Sequence, residues 1–272
     1  MLTDPIDADV IARGKSRLRV ISQYAVGFDN INVSAATAHR IPVGNTPGVL
    51  TEATADLAFT LLMAAARRVR EGIDFCRTGQ WQSWSPTALL GASVHGATLG
   101  ILGMGRIGQA VAKRARGFDM EVIYYHPKGR VDAAPEARLV SFEELIARSD
   151  FLSVHVPLRP ETHHLISAGV LASMKPTAIL INTSRGGVVD QMALEAALKK
   201  GAIAYAALDV TDPEPLPVEH PLYALPNCLI LPHLGSATVA TRSTMSDIAA
   251  KNLLAGLKGE RLPFCVNPQV YD

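Results

Sequence analysis

A chain of 272 residues with 48% hydrophobic and 19% charged residues exceeds the usual size of one core, which favours two domains and excludes a disordered polymer. A formal net charge of +1 with both signs interspersed excludes the broad basic field that holds nucleic acid or an anionic membrane surface. Cys76, Cys228 and Cys265 lie far apart without metal-ligand spacing, so they read as reduced thiols of a cytoplasmic protein, and no metal site is expected.

The start, "MLTDPIDADV", has no basic region followed by an apolar one, so no signal peptide is expected. After the short segment Asp7 to Arg13, "RLRVISQYAVGFDN" reads as a strand and loop, "SAATAHR" as a helix and "IPVGNT" as a second strand. Parallel strands need neighbours on both sides, so this first unit reads as unfinished: another chain covers its edge, or its N-terminus is cut short. The run "ADLAFTLLMAAA" is too short to span a bilayer and is bracketed by Glu52 and by Arg67, Arg68 and Arg70, which makes it a buried helix.

From residue 98 onward short apolar runs alternate with helical patterns. "TLGIL" is followed by Arg106 to Gly117, "EVIYY", "SFEELIARS", "FLSVHV", "AILINT", "MALEAALKK", "AYAALDV" and "CLILP". This is the rhythm of a parallel sheet with crossover helices on both faces. Ser141 and Glu144 have capping-box spacing at one helix start, and Arg242 to Leu257 has helical period and is free to return onto the first unit.

The turn "TLGILGMGRIG" places Gly103, Gly105 and Gly108 between a strand and a helix, the context in which G-x-G-x-x-G binds a dinucleotide. Gly103 permits the tight turn, Gly105 the close approach of a pyrophosphate to the backbone, and Gly108 the packing of the helix on the strand. At the end of the next strand such chains usually carry a carboxylate for the ribose of NAD; "VIYYHPKGR" instead offers His126, Lys128 and Arg130. A cation there pairs with a 2′-phosphate, so NADPH is expected over NADH, the alternative being a solvated loop with incidental charges.

Three further loops follow strand ends, where ligands sit in doubly wound sheets. "NTSRGGVVD" carries Arg185, whose guanidinium can clamp a carboxylate by two parallel bonds. "LDVTDPEPLP" carries Glu214 between prolines, and "LILPHLGSAT" presents His233 between Pro232 and Gly235. A carboxylate beside an imidazole makes a general acid for carbonyl reduction and a base for the reverse reaction. Each residue alone is also compatible with an ordinary surface or structural role.

The blocks "AVGFDNI", "GNTPGVLTEATADLAFTLLMAAAR", "GILGMGRIGQAVAKRA", "INTSRGGVVD", "LDVTDPEPLP" and "ILPHLGSATVATRSTM" occur in an order that resembles the D-2-hydroxyacid dehydrogenase family, closest to its glyoxylate/hydroxypyruvate reductase branch. The resemblance implies an α/β fold: a doubly wound (Rossmann) cofactor domain at 50–240 inserted in a smaller flavodoxin-like substrate domain at 1–49 and 241–272, truncated at its N-terminus. It implies reduction of a small 2-oxo acid with Arg185 on the substrate carboxylate, Glu214 as partner of the histidine and His233 in proton transfer. It adds the backbone of Val26 and Gly27 as a substrate contact. As cofactor contacts it adds Thr54, the turn from Gly103 through Arg106 to Ile107, Val156, Pro157, Thr162, Thr183, Asp209 and Gly235. It also implies a homodimer through the cofactor domains, in which Trp84 of "GQWQSWSP" lines the neighbour's substrate site. A nucleotide-binding module without turnover and a reductase of longer 2-oxo sugar acids such as 2-ketogluconate stay open beside this reading.

Overall fold

The computed structural model describes residues 4–129 and 136–272, and the chain divides into two compact units. One is built from the residues up to Ala53 together with Ser236–Asp272, the other from Thr54–Gly235.

The first unit opens with helix α1 (Ala8–Gly14), started by Asp7, whose carboxylate accepts from the Val10 N–H at 2.8 Å. Strand β1 (Ile21–Ser22), helix α2 (Val33–Ala38) and strand β2 (Val43–Gly44) follow, the expected strand-helix-strand order with very short strands. Helix α2 starts one residue ahead of "SAATAHR" because the Asn32 side chain caps it, and it stops before Arg40, which takes a left-handed conformation. The strands pair in parallel, Ile21 opposite Val43. The outer edge of β2 is not bare. Val266 N–H donates to the Val43 carbonyl at 2.7 Å, and the buried Asn267 amide accepts from Val43 N–H at 2.8 Å while donating to the Ile41 carbonyl. One side chain thus satisfies backbone groups that would each cost about 1–3 kcal/mol if buried without a partner.

The second unit begins along helix α3 (Thr51–Ala66), where Ala55, Ala58, Leu61, Leu62 and Ala65 recur on one face and are buried, as the apolar run predicts. Helix α4 (Val69–Arg77) has no counterpart among the elements read from sequence; Arg68 in a left-handed conformation separates it from α3. The Arg70 guanidinium ties α4 down through the carbonyls of Tyr223 at 3.0 Å, Leu225 at 3.1 Å and Cys228.

Strand β3 (Thr98–Leu102), helix α5 (Arg106–Ala115), strands β4 (Glu121–Tyr125) and β5 (Arg138–Leu139), helix α6 (Phe142–Arg148), strand β6 (Phe151–Val154), helix α7 (Ala168–Ala172), strand β7 (Ile179–Asn182), helix α8 (Gln191–Lys200) and strands β8 (Tyr205–Leu208) and β9 (Cys228–Ile230) complete it. The strands form one parallel seven-stranded sheet in the order β5-β4-β3-β6-β7-β8-β9. Successive side chains alternate between its faces. Leu99, Ile101, Phe151, Ile179, Ile181 and Tyr205 pack with α3 and α5, whereas Leu102, Leu152, Val154, Leu180, Ala206 and Leu208 pack with α6, α7 and α8. Each fully buried leucine or isoleucine contributes roughly 1.5–3 kcal/mol of transfer free energy, and covering both faces turns these strands into continuous apolar runs.

Helix α9 (Val239–Lys258) returns to the first unit, starting at Thr238 and ending at Gly259 in the left-handed region. It packs there as its period predicts: Ala255 meets Val20 and Leu262, and the Ser22 hydroxyl donates to the Ala249 carbonyl at 2.8 Å. Among the described residues no helix is long and apolar enough to cross a membrane.

Candidate active site

The order of the sheet reverses at β3, which has β4 on one side and β6 on the other, and loops diverging at such a point leave a crevice beyond the strands' carboxyl ends. Gly103 leaves β3 at φ +99, and a Cβ on it would lie 2.9 Å from both the His155 carbonyl carbon and Val156 Cγ1. Gly105 caps α5 without any side-chain bond and has open space where a Cβ would stand, so the first N–H groups of the helix, at Arg106 and Ile107, lack an intrahelical acceptor. Gly108 is buried against the Gly103 carbonyl. Packed beside the Gly103 turn, Val156 is buried in the core, and the Thr162 hydroxyl donates to the Pro157 carbonyl at 2.6 Å while accepting from Arg159 N–H at 2.8 Å. Burial holds the His155 imidazole down at about 4, and its Nε2 sits 2.8 Å from the Ser153 hydroxyl.

At the end of β4 the chain makes a tight turn: Gly129 N–H donates to the His126 carbonyl at 2.8 Å and Lys128 N–H to His126 Nδ1 at 3.2 Å. His126 thereby spends one ring nitrogen on the turn, while Lys128 is exposed. Arg130 lies outside the described residues.

Beyond β7 the buried Asn182 amide organises the next loop, accepting from Ser184 N–H at 3.0 Å and donating to the Arg185 carbonyl at 2.9 Å. The Thr183 hydroxyl is buried and has no hydrogen-bond partner among the described residues. The Arg185 guanidinium donates to the Ser184 carbonyl at 2.8 Å. Gly186 follows, and a methyl there would strike the backbone of Thr211 and Asp212, so glycine lets the Arg185 loop lie against the Glu214 loop.

Past β8 the Asp209 carboxylate accepts from Leu234 N–H at 2.6 Å and Gly235 N–H at 2.8 Å, and its own carbonyl accepts from His233 N–H at 2.9 Å. Burial raises its pKa against the pull of those two N–H groups and of His233. The Thr54 hydroxyl donates to the Gly235 carbonyl at 3.2 Å. Asp209 and Thr54 thus build the loop that holds His233 at φ +54, a conformation costing a non-glycine residue about 1–2 kcal/mol. His233 Nδ1 stands 2.6 Å from Glu214 Oε1, with the histidine side chain 43% exposed and the glutamate 26%. For the Glu214 carboxyl, burial is the largest single influence and pushes upward. The hydrogen bond and charge of His233, Thr211 N–H and the Arg185 guanidinium together outweigh it and hold the pKa below its ordinary value. Arg185, Glu214 and His233 therefore form one electrostatic cluster in which Nδ1 is committed to the carboxylate and Nε2 remains to exchange a proton.

Residues 59–235 match the D-isomer specific 2-hydroxyacid dehydrogenase family, NAD binding domain. The chain belongs to that family. It is an NAD(P)-dependent dehydrogenase of the glyoxylate reductase branch. The glyoxylate reductase of Korarchaeum cryptofilum is 54% identical over 273 residues, covering 99% of this chain and 82% of the relative. The glyoxylate reductase/hydroxypyruvate reductase of Mus musculus is 48% identical over 265 residues, covering 96% and 81%. The crystal structure of the TT0316 protein from Thermus thermophilus superposes with a TM-score of 0.90 at 51% identity, covering 97% of this chain and 84% of that one.

A nicotinamide dinucleotide fits the dehydrogenase's crevice on three counts: the open space over Gly105, the N–H groups at the start of α5 that have no intrahelical acceptor, and the Thr183 hydroxyl at the end of β7, without a partner among the described residues. The remaining residues read from sequence have surroundings of their own. Trp84 is 82% exposed on the segment after α4, and in the first unit the carbonyls of Val26 and Gly27 accept from Asn45 Nδ2 at 2.9 Å and Gln23 Nε2 at 3.2 Å. Asn182 and Gly186 were missed. Their signals were a polar side chain at the end of the apolar run "AILINT" and a glycine beside the arginine in "SRGG".

Proposed function

We propose that this dehydrogenase reduces small 2-oxo acids, glyoxylate and hydroxypyruvate, to 2-hydroxy acids, with NADPH preferred over NADH. The 2.6 Å bond between His233 Nδ1 and Glu214 Oε1, with Arg185 acting on the same carboxylate, carries the reading. When bound, the reduced nicotinamide supplies the hydride to the keto carbon. His233 delivers the proton from Nε2 to the developing alkoxide and takes it back in the reverse direction. Glu214 fixes the ring's orientation and balances the imidazolium charge. Arg185 holds the substrate carboxylate by a fork of two N–H donors, which sets the keto group against His233. Thr183 lies on the nicotinamide side and Thr54, Asp209 and Gly235 on the same rim, while the turn Gly103 to Gly108 takes the pyrophosphate and Val156, Pro157 and Thr162 the adenine side.

Lys128, exposed on the turn after β4, supports the preference for NADPH, with His126 shaping that turn. The exposed Trp81 and Trp84, with Val69, Ile73 and Leu90, support a homodimer through the second unit in which Trp84 reaches the neighbour's substrate; light scattering tests it. This reading places the enzyme in the cytoplasm, which fractionation of the source cells tests.

The deciding experiment follows reduced-nicotinamide absorbance with glyoxylate, using NADPH and NADH in parallel, for the native chain and for His233→Asn. Faster turnover with NADPH, falling about 10²–10⁴-fold in the variant while NADPH affinity is kept, is the expected result. Equal loss of turnover and NADPH affinity refutes the role of His233, and oxidation of neither cofactor refutes the substrate assignment.

A further inference from the structure

His163, His164 and Asp212, all exposed in the second unit, offer one ligand atom each within 4.8 Å of one another. Neighbouring side chains in extended chain normally diverge. Here His164 adopts φ +51, and the two imidazoles stack with centroids 3.9 Å apart and planes 25° apart. The arrangement is anchored from behind: His164 N–H donates to the Gly187 carbonyl at 2.8 Å, and Asp212 N–H to Gln191 Oε1 at 3.1 Å. A Cβ on Gly187 would sit 3.3 Å from Asp212 Oδ2, so glycine leaves the carboxylate its place. Among the described residues no hydrogen bond or ion pair engages the head group of His163, His164 or Asp212. Three ligand atoms therefore lie within 4.8 Å of one another, and the exposed rings have only to turn out of their stack for both in-plane lone pairs to meet one ion.

We propose that His163, His164 and Asp212 form a binding site for a divalent transition-metal ion of the zinc class. Two neutral imidazoles and one carboxylate suit such an ion, whereas magnesium and calcium take oxygen ligands. With every ligand exposed, water completes the coordination shell. A bound ion ties the segment that carries Thr162 to the loop that carries Glu214, two residues beyond Asp212, and so stiffens the backbone behind the His233–Glu214 pair. The proposal rests on ligand geometry and stands whether or not the enzyme acts on glyoxylate.

The test titrates the full chain with Zn²⁺, and with Mg²⁺ in parallel, by calorimetry and thermal unfolding, in the native protein and in His163→Ala, His164→Ala and Asp212→Asn. The expected result is saturable Zn²⁺ binding with a raised Tm, no response to Mg²⁺, and affinity at least about tenfold weaker in each variant. Retained NADPH binding checks that the variants are folded. Absence of Zn²⁺ binding at 0.1 mM (about the weakest affinity worth a site) overturns the proposal. So does binding unchanged in any of the three variants, because the ion then lies elsewhere or uses fewer ligands.

Discussion

The glycine turn separates stability from binding in a way that two single substitutions can resolve. In Gly103→Ala the new side chain must accept φ +99, which costs about 1–2 kcal/mol, and its methyl lies 2.9 Å from the His155 carbonyl carbon and Val156 Cγ1, adding about 1–3 kcal/mol of overpacking. The sum, about 2–5 kcal/mol, corresponds to a fall in Tm of roughly 4–20 °C for a unit of this size. Gly105→Ala behaves oppositely. Its φ of −75 suits alanine and no atom lies within 4 Å of the new Cβ, so the gain from a stiffer unfolded chain and the loss of a favourable helix cap cancel to within about 1 kcal/mol. The methyl fills the space the pyrophosphate needs, and losing one charge-assisted bond weakens NADPH by about ten- to a hundredfold. Circular dichroism melts and NADPH fluorescence titration measure the two effects. A Gly105→Ala protein that melts as early as Gly103→Ala, yet binds NADPH normally, would refute the reasoning.

Three further substitutions test the site. Glu214 has a depressed folded pKa, so its contribution to stability is present above the unfolded value of about 4.3 and is lost as pH falls through the lower folded value. Glu214→Gln should therefore be less stable than the native chain near neutral pH by no more than about 1 kcal/mol, since the pair is partly exposed, with the difference vanishing on acidification in thermal melts. Lys128→Ala should lower the NADPH-to-NADH ratio of kcat/KM about ten- to a hundredfold; an unchanged ratio removes Lys128 from cofactor selection. Gly186→Ala pushes the Arg185 loop off Thr211 and Asp212 and should cost on the order of a hundredfold in kcat/KM while leaving NADPH affinity intact, as steady-state kinetics and binding will report.

By itself, the sequence determined the features whose physics is local. Continuous apolar runs such as "AILIN" mark strands covered on both faces, the G-x-G-x-x-G spacing marks the turn into α5, and the order of the blocks identifies the family. Arg185, Glu214 and His233 were legible as candidates because each follows a strand whose end could be read. The first unit's strands were legible but not their two-residue length, and helix α4, polar on average and without a buried residue, is held by the Arg70 contacts to the carbonyls of Tyr223, Leu225 and Cys228. Only the tertiary structure decided the rest. The edge of β2 is closed by Asn267 from the far end of the chain, and Asn182 and Gly186 set the pose of Arg185. Asp209, itself read as a cofactor contact, spends its carboxylate on the N–H groups beside His233, and His163 and His164 meet Asp212 across nearly fifty residues of sequence. These are through-space hydrogen bonds and close approaches between residues distant along the chain, and no periodicity in one sequence encodes which distant partner a polar side chain will find.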